Sequence, residues 1–163
     1  MRMHETGAVM SESRCFASLD DSHWPLLITR IVGEGSNQEF DDYLVRSTRS
    51  MERGQTHVLV VDLSDAVGIS PEQRRRLEQW SRDHDEVMQR TVVGAAYITS
   101  TAVVRLALSV FLYVRRPPYP YILVSREQQA LEWAIKRLED VGLHASAGRI
   151  RRDLGLLSQP RAG

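Results

Sequence analysis

One stretch constrains the fold more than any other: an unbroken apolar strand followed, after a short connection, by a well-marked helix start. The strand is predicted from Thr56 to Leu63, since continuous apolar runs are typical of a central strand covered on both faces. The helix start reads Ser70-Pro71-Glu72-Gln73. Serine caps the helix, proline fits its first turn and glutamine completes a capping box. A covered strand that leads into a helix indicates an α/β sheet.

The rest of the chain repeats this alternation. Two further capping boxes, Ser36 with Glu39 and Ser125 with Gln128, predict the starts of the first and last helices. The predicted strands are Cys15–Leu19, Leu26–Val32, Thr56–Leu63, Thr91–Ile98 and Tyr121–Val124. The order β-β-α-β-α-β-α-β-α predicts a mixed, mostly parallel five-stranded sheet with an N-terminal hairpin and about four helices.

Length and composition fit a single globular domain. The chain has 163 residues and is 42% hydrophobic, which is enough to bury a core. We predict a flexible N-terminal arm at 1–14, the domain at 15–143 and a basic C-terminal tail at 144–163. The tail prediction rests on a composition rich in Arg, Gly, Ala and Ser.

Charge and residue usage narrow the function classes. The chain has 21 basic and 21 acidic residues, so it has no overall attraction to nucleic acid, and we expect no nucleic-acid partner. One cysteine excludes an internal disulfide, and five scattered histidines lack metal-ligand spacing, so we expect no metal and no cofactor. The longest apolar stretch, 102–114, is too short for a transmembrane segment. We therefore expect a cytoplasmic protein.

Three short motifs, in this order and spacing, carry a resemblance to a known family. They are Val60-Val61-Asp62-Leu63-Ser64, the strand-to-helix segment from Ala95 to Ser100, and Glu132-Trp133-Ala134. From Cys15 to Leu143 the chain resembles the STAS domain, the fold of bacterial anti-sigma factor antagonists. It looks more like the divergent STAS-like proteins grouped with lipid-transfer CRAL-TRIO domains. The resemblance implies helices largely on one side of the sheet, and regulation through a protein partner, often controlled by phosphorylation.

Four residues are candidates for a switch or a partner-binding site: Asp62, Ser64, Ser70 and Glu72. Antagonists carry a phosphorylated serine in a pattern close to Asp-Ser-Ser-Gly-Leu, and alignment from Leu63 places that serine near Glu72. Glu72 then supplies a permanent negative charge, or it simply favours the positive end of the helix dipole. Ser70 is a phosphorylation candidate or only a cap. Asp62 is a phosphoacceptor, as in receiver domains, or a structural aspartate bonded to backbone amides.

The helix predicted from Thr101 to Arg115 is apolar on almost all sides. Such a helix is typically buried. The alternative is that one side forms a dimer interface or an apolar ligand groove. The residues of that interface or groove are Val104, Leu108, Phe111, Leu112 and Tyr113.

These observations predict a non-enzymatic, STAS-like regulatory protein-interaction domain, either a former or a modified partner-switching module. We expect a protein partner and a homodimer, with a binding surface running from Ser64 to the Ser70 helix beside the Thr101 helix. The alternative function is a carrier or sensor of a small apolar ligand or lipid. No set of convergent polar residues predicts a catalytic site, so we name no catalytic residue.

Overall fold

The computed structural model describes residues 15–156, which form a five-stranded sheet and six helices. The strands are β1 Ala17–His23, β2 Leu26–Gly33, β3 His57–Ala66, β4 Val92–Ile98 and β5 Tyr121–Val124. The helices are α1 Asn37–Glu52, α2 Pro71–Asp83, α3 Asp85–Thr91, α4 Ala102–Val114, α5 Glu127–Asp140 and α6 His144–Asp153. No helix within 15–156 is both long and apolar enough to cross a membrane.

The sheet has the predicted topology. Its strand order is β1-β2-β3-β4-β5, with β1 antiparallel to β2 and every other pair parallel. The predicted α/β class, the mixed five-stranded sheet and the N-terminal hairpin are therefore confirmed. The central strand, β3, is covered on both faces, as its continuous apolar run indicated.

Helices cover both faces of the sheet, so the expectation that they lie largely on one side is wrong. Because side chains alternate along a strand, Val58 and Val60 point to one face and Leu59 and Val61 to the other. The first pair packs in the main core with α5 and α6. Leu59 instead lies with Met51 of α1 and residues of α3. The expectation took its layer arrangement from the family resemblance, not from this chain's own apolar faces.

Two of the three predicted capping boxes form. The Ser36 and Ser70 hydroxyls accept hydrogen bonds from the amides of Glu39 and Gln73, and both return bonds are present. The third box is wrong, because Arg126 occupies the cap position of α5 and makes no side-chain cap bond.

The helix count within the described residues is six instead of about four, and one extra helix replaces the first half of the predicted tail. The Ser70 helix ends near His84, where α3 starts as a separate short helix. The segment after Leu143 forms α6, whose Ala147 and Ile150 are completely buried in the main core. The tail prediction is therefore wrong from His144 to Asp153, because these apolar residues have a hydrophobic surface to pack against. The predicted arm at 1–14 and the end of the tail at 157–163 lie outside the described residues.

Candidate functional site

A cavity of about 580 Å³ lies between α4 and the second face of the sheet. Leu59, Val61 and Leu63 of β3 form its base, and α1, α2 and α3 supply other walls. The segment 115–119 after α4 contributes the remaining wall. Binding sites for small molecules commonly measure about 300 to 1,000 Å³ and are mostly apolar, so this cavity has the size and character of a ligand site.

α4 is not buried, although it is apolar on almost all sides. Within α4 only Leu112 is buried, at 3% exposure, while Val104, Leu108 and Phe111 are half-buried and line the cavity. Tyr113 lies on the outer side and is 74% exposed. Of the five residues named for a groove or an interface, four therefore face the cavity and one faces solvent.

The exposed side of α4 forms an apolar surface, which we call the outer face and define as Val103, Leu106, Val110, Tyr113 and Val114. Its members are 55% to 78% exposed. Val103 and Val110 also line the cavity, so they lie at the border between the cavity and the outer face. Val67 and Ile69, in the connection between β3 and α2, are also exposed and contribute to the cavity rim. Contiguous exposed apolar surface of this kind is typical of interaction sites.

Three tyrosines supply hydroxyls to the cavity, and sequence reasoning did not select any of them. The hydroxyls of Tyr97 and Tyr119 are 3.3 Å apart, and Tyr43 lines the same space. Burial raises the pKa of Tyr97 well above its ordinary value and raises those of Tyr43 and Tyr119. All three therefore stay neutral at physiological pH and keep their hydroxyl protons. The available signal in the sequence was Tyr97, a residue with a polar hydroxyl within the apolar run of β4. The spacing of residues along the chain does not show that Tyr119 lies beside it.

His57, at the start of β3, is a second polar group of the cavity wall. Its side chain is completely buried, its Nδ1 lies 2.9 Å from the Gln55 carbonyl, and its ring stacks on Trp24. Its Nε2 is buried without a hydrogen-bond partner. Burial lowers the pKa of His57, so the ring is neutral at physiological pH.

Asp62 and Ser64 both lie within β3. The predicted end of this strand at Leu63 is therefore wrong. Asp62 accepts a 2.9 Å hydrogen bond from the Ser64 amide and faces Arg30 at 3.5 Å. Arg30 also pairs with Glu127 at the start of α5, at 2.7 Å. Pairing with β2, where Val32 lies opposite Asp65 and Gly33 opposite Ala66, keeps β3 extended beyond Leu63. Strand alternation places the Asp62 side chain with Val58 and Val60, on the face opposite the cavity.

Ser70 and Glu72 form a separate group at the start of α2. The Ser70 hydroxyl accepts from the Gln73 amide at 3.1 Å, which is the capping role. Glu72 accepts from Arg76 at 3.0 Å and from Asn37 of α1 at 3.2 Å, so it ties the two helices together. The four candidate switch residues therefore lie in two separate groups: Asp62 and Ser64 in β3, and Ser70 and Glu72 at the start of α2. The side chains of all of them except Ser64 form hydrogen bonds within the fold.

Residues 15–156 contain no cluster of three or more His, Cys, Asp or Glu side chains that could hold a metal ion. The polar groups around the cavity are mainly hydroxyls, which donate and accept hydrogen bonds, and guanidinium groups, which only donate them.

Comparison with known proteins bears on the fold. No family model matches the sequence, and the search of curated proteins finds no match. One similar solved structure is an uncharacterised protein of the DUF3478 family from Shewanella loihica PV-4, described as having a SpoIIAA-like fold. The two are 15% identical and superpose with a TM-score of 0.57, over 72% of this chain and 91% of the other. The chain therefore has the SpoIIAA-like, or STAS-like, fold that its sequence resemblance implied.

Proposed function

We propose that the protein acts by binding a small apolar ligand in the cavity under α4, as a carrier or sensor, and that it is not an enzyme. The observation that carries this proposal is the cavity itself: about 580 Å³ of largely apolar space in an otherwise packed domain. The cavity opens to solvent along α4, where its lining residue Val103 is 78% exposed. Its size and apolar character are those of small-molecule binding sites, which commonly measure about 300 to 1,000 Å³.

The position of α4 supports the same role. A ligand in the cavity would contact Val104, Leu108 and Phe111, which are only half-buried in the empty protein. Removing apolar surface from water stabilises the bound state by about 25 cal/mol per Å². Ligand binding would thus complete the packing of a helix that contributes one buried side chain by itself.

A second function, regulation through protein contact, is favoured by the outer face of α4. A STAS-like fold is often a protein-interaction module, and exposed apolar surface is typical of interfaces. We propose a second copy of the chain as the occupant of this face, which makes the protein a homodimer. The partner-switching form of the hypothesis is weaker, because Ser70 and Glu72 already have bonded roles within the fold.

The ligand proposal is tested by filling the cavity. Leu108→Trp places a larger side chain in the cavity, whereas Leu106→Trp adds the same group to the outer face, where Leu106 is 67% exposed. The measurement is the fluorescence of N-phenyl-1-naphthylamine, a neutral apolar dye, titrated with the full-length protein. We expect saturable dye binding that Leu108→Trp reduces at least tenfold and Leu106→Trp leaves unchanged.

Two results would count against a ligand role. One is an absence of saturable dye binding to the folded wild-type protein. The other is equal dye binding by both tryptophan variants, which would place the dye outside the cavity. Sedimentation equilibrium tests the homodimer separately: Leu106→Glu should dissociate it, and a monomeric wild type would contradict it.

A further inference from the structure

We infer that the ligand is a single-chain amphiphile with an anionic head, which hydrogen-bonds to the Tyr97–Tyr119 hydroxyl pair while Arg115 supplies the opposite charge. The inference rests on the proposed function and adds the chemical class of the ligand. Its basis is the distribution of polar groups on the cavity wall, which is uneven.

The hydroxyl pair has a donor to spare. With 3.3 Å between the two oxygens, one hydroxyl donates to the other, and the second hydrogen remains free for an outside acceptor. Both hydroxyls keep their protons, since burial raises the pKa of each tyrosine. A third phenol, that of Tyr43, lines the same cavity. The polar spot therefore offers a hydrogen bond to an acceptor such as a carboxylate oxygen.

Other hydroxyls on the wall are already used. Ser47, Ser50 and Ser81 donate to carbonyls one turn earlier in their own helices, at 2.9, 3.3 and 2.8 Å. A hydroxyl bonded in this way has no hydrogen left for a ligand. The tyrosines are thus the hydroxyl groups on the wall with a donor left for a head group, and Tyr97 and Tyr119 bring two of them together at one point.

The charge on the wall favours an anion. Arg74, Arg115 and Arg116 line the cavity, and Asp85 is the carboxylate among its lining residues. Arg115 is the most informative of these, because its Nε is buried and has no hydrogen-bond partner. A buried guanidinium donor without a partner is costly, and an anionic oxygen would satisfy it. Arg115 also belongs to the segment that ends at Tyr119, so charge and hydroxyl come from the same stretch of chain.

The size of the cavity favours one hydrocarbon chain. Its volume of about 580 Å³ lies within the roughly 300 to 1,000 Å³ of sites that hold drug-sized ligands. A ligand with one hydrocarbon chain is closer to that size than a two-chain phospholipid. The apolar sheet residues and the inner side of α4 would surround the chain.

The test compares ligands that share a chain and differ in the head. Palmitate, hexadecanol and hexadecyltrimethylammonium, each below its micelle concentration, compete with N-phenyl-1-naphthylamine for the full-length protein. We expect palmitate to bind at least tenfold more tightly than hexadecanol, and the cation to bind most weakly. Tyr97→Phe/Tyr119→Phe should weaken palmitate binding by about 10- to 100-fold, as expected for loss of a hydrogen bond to a charged group. Arg115→Gln should have a similar effect.

Matched variants separate the head site from the cavity. Tyr113→Phe and Arg105→Gln remove the same groups from exposed positions of α4 and should leave palmitate binding unchanged. Hexadecanol should lose less affinity than palmitate in each head-site variant, because its neutral hydroxyl accepts a weaker hydrogen bond than a carboxylate does. Its remaining binding also reports that each variant is folded. Equal affinity for palmitate and hexadecanol in the wild type would overturn the head-group inference and leave the ligand role standing. Failure of all three amphiphiles and the dye to bind would overturn both.

Discussion

The sharpest stability prediction concerns Ile150, which lies in the segment that sequence reasoning treated as a tail. Its side chain is completely buried in α6, in the same core cluster as Leu138 and Ala147. Replacing a fully buried isoleucine by alanine removes three carbons and leaves a cavity. Such substitutions cost about 2 to 5 kcal/mol of the free energy of unfolding. Complete burial places Ile150→Ala within that range. The same substitution in a solvated tail would leave the free energy of unfolding almost unchanged.

The assay is urea unfolding of wild type, Ile150→Ala and Arg152→Ala, followed by far-ultraviolet circular dichroism. Arg152 is exposed in the same helix, so its loss should change the free energy of unfolding by about 0.5 kcal/mol or less. The urea midpoint of Ile150→Ala should fall while its slope stays the same, which indicates lost stability and not a changed unfolded state. Domains of this size have about 5 to 15 kcal/mol in total, so the effect is a large fraction of stability.

A loss below about 1 kcal/mol for Ile150→Ala would refute the reasoning, because a buried isoleucine cannot be truncated so cheaply unless its site collapses completely. It would mean that α6 does not pack on α5 in solution. The domain would then end near Leu143, as the sequence suggested.

Three further predictions follow from local contacts. A Cβ on Gly94 would lie 2.8 Å from the Trp133 ring, so Gly94→Ala should destabilise the protein by about 1 to 3 kcal/mol. A Cβ on Gly148 would lie 3.6 Å from the nearest atom, so Gly148→Ala should stabilise α6 by about 0.5 to 1 kcal/mol. Thermal unfolding of the two variants checks the sign of each change. Burial lowers the pKa of His57 below its ordinary 6.5, so the unfolded state takes up a proton at a higher pH than the folded state does. The free energy of unfolding should therefore fall as the pH drops below about 6.5, by at most about 1.4 kcal/mol per pH unit. His57→Phe should lose this part of the pH dependence in urea titrations, and an unchanged profile would contradict it. Ser70→Ala should cost about 0.5 to 2 kcal/mol through the lost cap, without changing dye binding; an effect on binding but not on stability would instead support a switch role.

The elements that sequence reasoning predicted best are those whose signals are local. The boxes at Ser36 and Ser70 each need only four residues, and both form. The continuous apolar run of β3 predicted that other elements pack on both faces of this strand. In the structure, helices pack on both faces. The box at Ser125 fails because the cap position lies one residue later, at Arg126, a shift within the one or two residues by which helix ends commonly vary.

The errors concern packing partners, which a single sequence does not show. Composition made α6 look like a tail, although Ala147, Ile150 and Leu154 recur at helical spacing and were an available signal. For α4 the pattern was clear, but whether a neighbour covers an apolar helix depends on distant residues. The cavity is less predictable still, because it is a gap between four helices and a sheet.

The candidate site shows the same limit. Sequence reasoning selected Asp62, Ser64, Ser70 and Glu72 because the segment resembles the phosphorylated switch of antagonists and because receiver domains have a phosphoacceptor aspartate at the end of a strand. In the structure Asp62 joins β3 to Arg30, and Glu72 joins α2 to α1. The tyrosine pair was missed because its members lie 22 positions apart and meet only through the pairing of β4 with β5.

The two unusual properties of α4, its exposed outer face and the cavity beneath it, have one physical origin. α5 buries five apolar side chains against the sheet, whereas α4 buries Leu112 alone. If burial of one large apolar side chain contributes about 1.5 to 3 kcal/mol, α4 is held by far less free energy than α5. Elements with the least buried surface are the ones that open locally at the lowest cost. A ligand beneath α4 would add apolar contacts to the helix that has the fewest buried side chains of its own. Binding would therefore stabilise α4 in its packed position. The position of α4 would then report whether the cavity is filled.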